Sequence, residues 1–235
     1  MLSDILVDPW LQAIFWSIIT IGMYFITKQL YRRWGFWWLM PIALAPILVG
    51  SIVLLLHVTY FDYFRGTKWL ALLLGPATVA FAIPIYEQRA LIRKYWPVLI
   101  IGVIAGSLTA ILSSWVLATL LGLDENLRLS LLPRSISTPF AVEVSRGIGG
   151  SPDLTAIFVI ITGILGAVIG EFILTRLSFN SALARGAFLG IGAHSAGTAQ
   201  AQKIGYTEGA IASLVMILVG LLNVFLLPFI SPLFK

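Results

Sequence analysis

The chain has 235 residues, of which 59% are hydrophobic and 11% charged, and its mean hydropathy of +0.99 lies far above that of a soluble domain. That composition excludes a water-soluble globular protein and fits a multi-pass protein of the cell (inner or plasma) membrane. A net charge of +5, no cysteine and two histidines exclude disulfides, thiolate metal sites and a histidine-rich metal centre, and the basic residues are scattered through short connections as the positive-inside bias produces, not gathered for nucleic acid.

At roughly 20 residues per helical crossing, the length allows about six to eight spans. The expectation is an all-α polytopic bundle forming one membrane domain over residues 1–235, with N-terminal spans over 1–69 and a core over 70–235. The first residues, Met1 to Asp8, lack the basic region and small-residue cleavage site of a secretory signal, so the first apolar stretch is read as a retained span. Apolar runs follow at Trp10–Thr27, Trp38–Leu56, Trp69–Tyr86, Pro97–Leu121, Thr155–Leu174 and Glu208–Phe229. Lys28, Arg32 and Arg33, and then Arg89, Arg93 and Lys94, alternate sides correctly if the N-terminus is external.

Between the last three runs lie two segments, at about 127–146 and 186–203, that put helix breakers and polar groups where a span is expected. They contain Pro133-Arg134-Ser135-Ile136-Ser137-Thr138-Pro139 and Gly190-Ile191-Gly192-Ala193-His194-Ser195-Ala196-Gly197-Thr198. Irregular backbone leaves N–H and C=O groups unpaired, so at membrane depth it survives only against protein or a wet cavity. These segments can cross fully or return to the side they entered. Full crossing would put Arg176 and Arg185 outside, whereas a re-entrant 127–145 keeps them in the cytoplasm, so re-entrant or half-helix pairs meeting near the midplane are expected. Shifting the chain by 57 residues aligns Gly106, Gly163 and Gly220, and Pro76 with Pro133. A shift of 56 aligns Pro41 with Pro97 and Gly50-Ser51 with Gly106-Ser107, which suggests repeated units of a broken segment and a long helix.

Arg134, flanked by hydroxyls, calls for an anion, because its planar fork can hold a carboxylate while Ser135, Ser137 and Thr138 donate to the same oxygens. The plainer alternative is an arginine that snorkels or pairs with Glu143. His194, Ser195 and Thr198 would form the opposing wall, with His194 a proton carrier or simply a hydrogen-bonded residue. Glu143 is the carboxylate inside a broken segment, able to bind a coupling ion or to neutralise Arg134 or Arg146. The small residues of Gly163–Gly170 and Gly102–Ser107 read as helix packing. No P-loop, paired-carboxylate site, metal cluster or nucleophile elbow is present, so neither an enzyme nor a metal or other cofactor is expected.

On these same residues the chain resembles the LrgB/CidB family of antiholin-like membrane proteins, relatives of the LrgB-like half of the plastid glycolate/glycerate translocator. The resemblance covers roughly Leu70 to Pro228 and is carried by residues 133–139, Ile148-Gly149-Gly150, Leu154-Thr155-Ala156, Gly163–Val168, Ala184-Arg185-Gly186, His194 with Gly197-Thr198-Ala199, Glu208-Gly209-Ala210 and Tyr86-Glu87-Gln88. Two positions depart from it: arginine stands at 134 for the usual lysine, and Gln200 where a basic residue follows Thr-Ala. The resemblance implies an LrgA/CidA-like membrane partner. The leading expectation is therefore secondary, ion-coupled, alternating-access transport of a small monocarboxylate of the glycolate, glycerate, lactate or pyruvate type by a homo-oligomer, with the anion held by Arg134, Ser135, Ser137, Thr138, His194, Ser195 and Thr198. The alternatives are a holin- or antiholin-like regulator of murein hydrolases and lysis, or an anion channel.

Overall fold

The computed structural model describes residues 8–177 and 179–234, with the backbone alone at Trp37; the Met1–Val7 stretch read as lacking a signal lies outside them. The described residues are helical, and five runs are long and apolar enough to cross a membrane: Pro9–Trp34, Tyr60–Glu87, Arg89–Leu120, Pro152–Arg176 and Tyr206–Phe234. The protein is thus an all-α, polytopic, multi-pass membrane protein. The chain divides into two compact units, Met1–Ala77 and Thr78–Lys235.

In the first unit, α1 (Pro9–Trp34) starts at Asp8, whose side chain accepts the Trp10 N–H, and stops at Gly35 in the left-handed conformation. α2 (Pro41–Leu55) carries an internal proline. α3 (Tyr60–Leu72) is capped by Thr59 and tied to α1 by polar side chains: Gln12 donates to the Asp62 carbonyl at 3.0 Å, Trp69 Nε1 to Ser17 Oγ at 2.8 Å, and Thr20 shares a hydrogen bond with Tyr63. Between membrane helices, where lipid is as apolar as leucine, such bonds and close packing supply the association.

The short α4 (Leu74–Ala80) contains the boundary between the units; in the second, α5 (Ala82–Glu87) leads into α6 (Arg89–Leu120), which is interrupted at Tyr95 because Pro97 cannot donate to the helical ladder. Then come α7 (Glu125–Leu131), a 3-10 turn (Leu132–Ser135), α8 (Thr138–Ile148), α9 (Pro152–Arg176), α10 (Ala182–Ile204) and α11 (Tyr206–Ile230). α11 is the most buried of the long apolar helices and forms the centre. Its Ile211, Leu214, Val215, Val219 and Leu227 pack with Leu99, Val103 and Ile111 of α6 and with Leu129, Phe140, Ala141 and Val144 of α7 and α8.

Neither broken segment crosses. In the first, Asn126 at the start of α7 donates to the Gly149 carbonyl just past the end of α8. Ser130 Oγ accepts the Ser151 N–H at 2.7 Å, and Thr155 Oγ1 bonds both the Ser130 carbonyl (2.9 Å) and Ser145 Oγ (2.7 Å). The two arms leave and return at one face, so 125–150 is a re-entrant hairpin whose tip is the 3-10 turn and Ser137. In the second, α10 folds back on itself at His194, whose φ of 36° and ψ of −117° break the helix. Gly170 of α9 faces Leu189 on the way in, and Gln200 bonds Glu171 of α9 on the way out. The segment 182–204 therefore enters and leaves at the opposite face.

The path of α6, first hairpin, α9, second hairpin and α11 places Arg89, Arg93, Lys94, Arg176, Arg185 and Lys203 at one face, which the positive-inside bias makes the cytoplasmic one. Span plus hairpin occurs twice in opposite orientation, an inverted repeat, and the 57-residue shift superposes its parts: Gly106 on Gly163, and Ser137 on His194.

Candidate functional site

The two hairpin tips reach the same depth, and α9 measures it. Arg134, at the first tip, donates from Nε to Ser114 Oγ of α6 at 2.7 Å and from Nη1 to Thr162 Oγ1 of α9 at 3.5 Å. His194, at the second tip, lies against Gly163, where a Cβ would come 2.6 Å from its Cε1. Thr162 and Gly163 are adjacent, ten and eleven residues from Pro152, or about 15 Å along the helix. The tips thus converge near the bilayer middle, and the 3-10 turn packs against α10.

Close approach makes this possible. A Cβ at Gly166 would overlap the Gly192 carbonyl and sit 3.0 Å from Ala193 Cβ, and one at Gly106 would sit 2.8 Å from Ile191 Cγ2. Gly220 faces the Phe140 ring at less than contact distance for a Cβ. The three glycines spaced at 57 residues therefore do one job: each receives a hairpin side chain in the middle of a long helix.

Two buried side chains at the tips lack hydrogen-bond partners, Ser137 Oγ and His194 Nε2. They occupy equivalent positions of the inverted repeat. Each precedes a half-helix that runs outward from the middle, α8 toward one face and 195–204 toward the other, so two positive dipole ends face the centre. The backbone of His194, a residue with a Cβ at positive φ, is strained by about 1–3 kcal/mol.

Arg134 lines a cleft of about 500 Å³ with Ser114, Thr162, Gly192 and a surround of leucine, isoleucine and phenylalanine from α6, α7 and α9. Ser137 and His194 are not in its lining. Ser135 and Thr138 flank the tip and are half-buried. Ser195 and Thr198 both turn to Met216 of α11, at 3.6 and 3.9 Å from its sulfur, and Thr198 Oγ1 also donates to the His194 carbonyl at 3.0 Å. Glu143 pairs with Arg146 at 2.8 Å on an exposed surface, not with Arg134. Of the residues expected around one anion, then, the cleft contains Arg134 alone.

Several groups escaped the sequence reading. Ser114 and Thr162, which hold Arg134, are single hydroxyls within apolar helices, and Ser130 and Ser145, which with Thr155 clasp the first hairpin, carried no pattern that tied them to it. At the cytoplasmic base of the second hairpin, Arg185 grips Glu208 Oε1 through Nε (3.2 Å) and Nη2 (2.6 Å), and donates from Nη1 to the Phe179 carbonyl at 2.7 Å. Gln200, singled out for its missing charge, donates to Glu171 at 2.6 Å.

Opposed re-entrant hairpins between tightly packed spans define a polytopic membrane protein whose two hairpin tips meet at mid-depth. The chain belongs to the LrgB-like family, whose model matches residues 20–233. It is similar to "Uncharacterized protein YwbG" of Bacillus subtilis (39% identical; 90% of this chain and 94% of that one), to "Holin-like protein CidB" of Staphylococcus epidermidis (30%; 97% and 99%) and to "Antiholin-like protein LrgB" of Bacillus subtilis (31%; 91% and 93%). No solved structure matches. These relatives overturn the leading expectation. Proteins matching nearly the whole chain carry holin-like and antiholin-like names, which contradict the monocarboxylate transporter and favour the alternative that stood beside it.

Proposed function

We propose that the chain is a non-enzymatic, holin- or antiholin-like membrane regulator of murein hydrolase activity and lysis, acting with an LrgA/CidA-type membrane partner. What carries the reading is the near full-length similarity to relatives with those names. The architecture suits it. Two hairpins entering from opposite faces leave only their tips, 132–137 and His194, as a barrier, and a shift of either hairpin changes permeability without unfolding a span. Tests are direct. Deleting the gene should change the rate of autolysis and the activity of extracted wall hydrolases severalfold, with return to the original rate on complementation. Identical autolysis in deleted and complemented cells would end the proposal.

Anion conduction is the second reading, favoured by the two half-helix N-termini and the Arg134 guanidinium, which make the middle positive. A chloride current in planar bilayers that falls in Ser137→Ala and His194→Ala supports it, and a cation-selective or absent current rejects it.

A further inference from the structure

Arg134 presents the inconsistency from which a new surface can be read. Its guanidinium has five N–H donors, yet its protein bonds are one short contact from Nε to Ser114 and one long contact from Nη1 to Thr162. The remaining donors face a cleft lined by Leu117, Leu121, Phe158, Ile161, Leu165 and Ile169. That cleft lies open between α6 and α9, with Leu117 55%, Leu165 52% and Ile169 54% exposed. An acyl chain could fill its volume but accepts no hydrogen bond, and a guanidinium left in hydrocarbon costs several kcal/mol. Lipid phosphates are out of reach, because Thr162 lies about 15 Å from the nearer end of α9.

We infer that the α6–α9 cleft is the docking groove for an apolar transmembrane helix of a partner protein that carries a carboxylate at mid-membrane depth, where it pairs with Arg134. The shape fits, since a groove walled by two helices that run in opposite directions accepts a third along its length, and Gly192 at its floor has open space where a Cβ would stand. A second copy of this chain does not fit. Its described carboxylates Asp8, Asp62, Glu87, Asp124, Glu125, Asp153, Glu171 and Glu208 stand at or near helix ends, and Glu143, in the middle of α8, is already paired with Arg146. Arginine also gains over lysine here, because a forked guanidinium can keep Ser114 on Nε while offering Nη1 and Nη2 to both oxygens of a carboxylate. The inference rests on the reading of the chain as one part of a holin-type membrane assembly.

The test uses the full chain in lipid vesicles and three labelled synthetic helices of leucine and alanine with lysine ends, bearing Glu, Gln or Leu at the centre. Energy transfer to a dye on the protein should show the Glu helix binding at least about tenfold more tightly than the Gln and Leu helices. Arg134→Gln should abolish that preference, and Arg134→Lys should retain part of it. Leu165→Trp, which fills the groove from an exposed position and keeps the arginine, should weaken all three helices. Equal binding of the three, a preference that survives Arg134→Gln, or a preference erased by chloride would overturn the inference, the last by assigning Arg134 to a free ion. Loss of the preference with autolysis still dependent on the gene defeats the groove alone, whereas a preference without any autolysis effect defeats the proposed function alone.

Discussion

The two hairpins share a shape but are held shut by different chemistry. The first closes at its external base with neutral hydroxyls, Ser130, Ser145 and Thr155, all buried, together with backbone groups. The second closes at its cytoplasmic base with charges and an amide, Arg185 on Glu208 and Gln200 on Glu171, and its Arg185 side chain is 31% exposed. Neutral buried hydrogen bonds respond little to salt, whereas a partly wet ion pair is screened by it. The contacts that close the first hairpin are thus the salt-insensitive ones, and those that close the second are the ones ionic strength can weaken.

The sharpest way to break this contrast is to remove the room the second hairpin needs. Gly166→Val forces the side chain into the Gly192 carbonyl and Ala193, and should cost about 3 kcal/mol or more, seen as loss of folded protein or a large drop in thermal-shift midpoint. Next in size is Thr155→Val, which keeps shape but deletes both clasp bonds of the first hairpin. About 1–3 kcal/mol should be lost, by the same amount at low and high salt. Glu208→Gln should raise amide exchange in 182–204 while leaving 125–150 unchanged, and raising salt on the unaltered protein should mimic it; equal effects on both hairpins would contradict the contrast. Smallest is Arg146→Ala on the exposed Glu143 pair, expected within about 0.5 kcal/mol of the parent.

Much of this was readable beforehand because lipid permits so few arrangements. Breakers at 133–139 and 190–197 could only mark interrupted helices, and the cytoplasmic bias of Arg176 and Arg185 selected the re-entrant path. The glycine spacing at 106, 163 and 220 was visible as a pattern, and the structure supplies its cause in Ile191, His194 and Phe140. Site composition was not readable. Arg134 and His194 stand at equivalent depth but on opposite sides of the Thr162–Gly163 step, and adjacent residues on a helix point about 100° apart, which linear spacing does not reveal. Partner hydroxyls such as Ser114 and Thr162 carry no signature at all until the hairpin tip is folded against them.

The chain has no cysteine, so single cysteines report sidedness without background. Asn126→Cys and Gly147→Cys, at exposed positions on the two arms of the first hairpin, and Asn180→Cys and Thr207→Cys, flanking the second, should be tested with a membrane-impermeant maleimide on intact cells and on inverted vesicles. Opposed re-entrant hairpins predict that 126 and 147 both react from outside and that 180 and 207 both react only from the cytoplasmic face. Labelling of 126 and 147 from opposite faces would mean that the first broken segment crosses the membrane, and the architecture described above would be wrong.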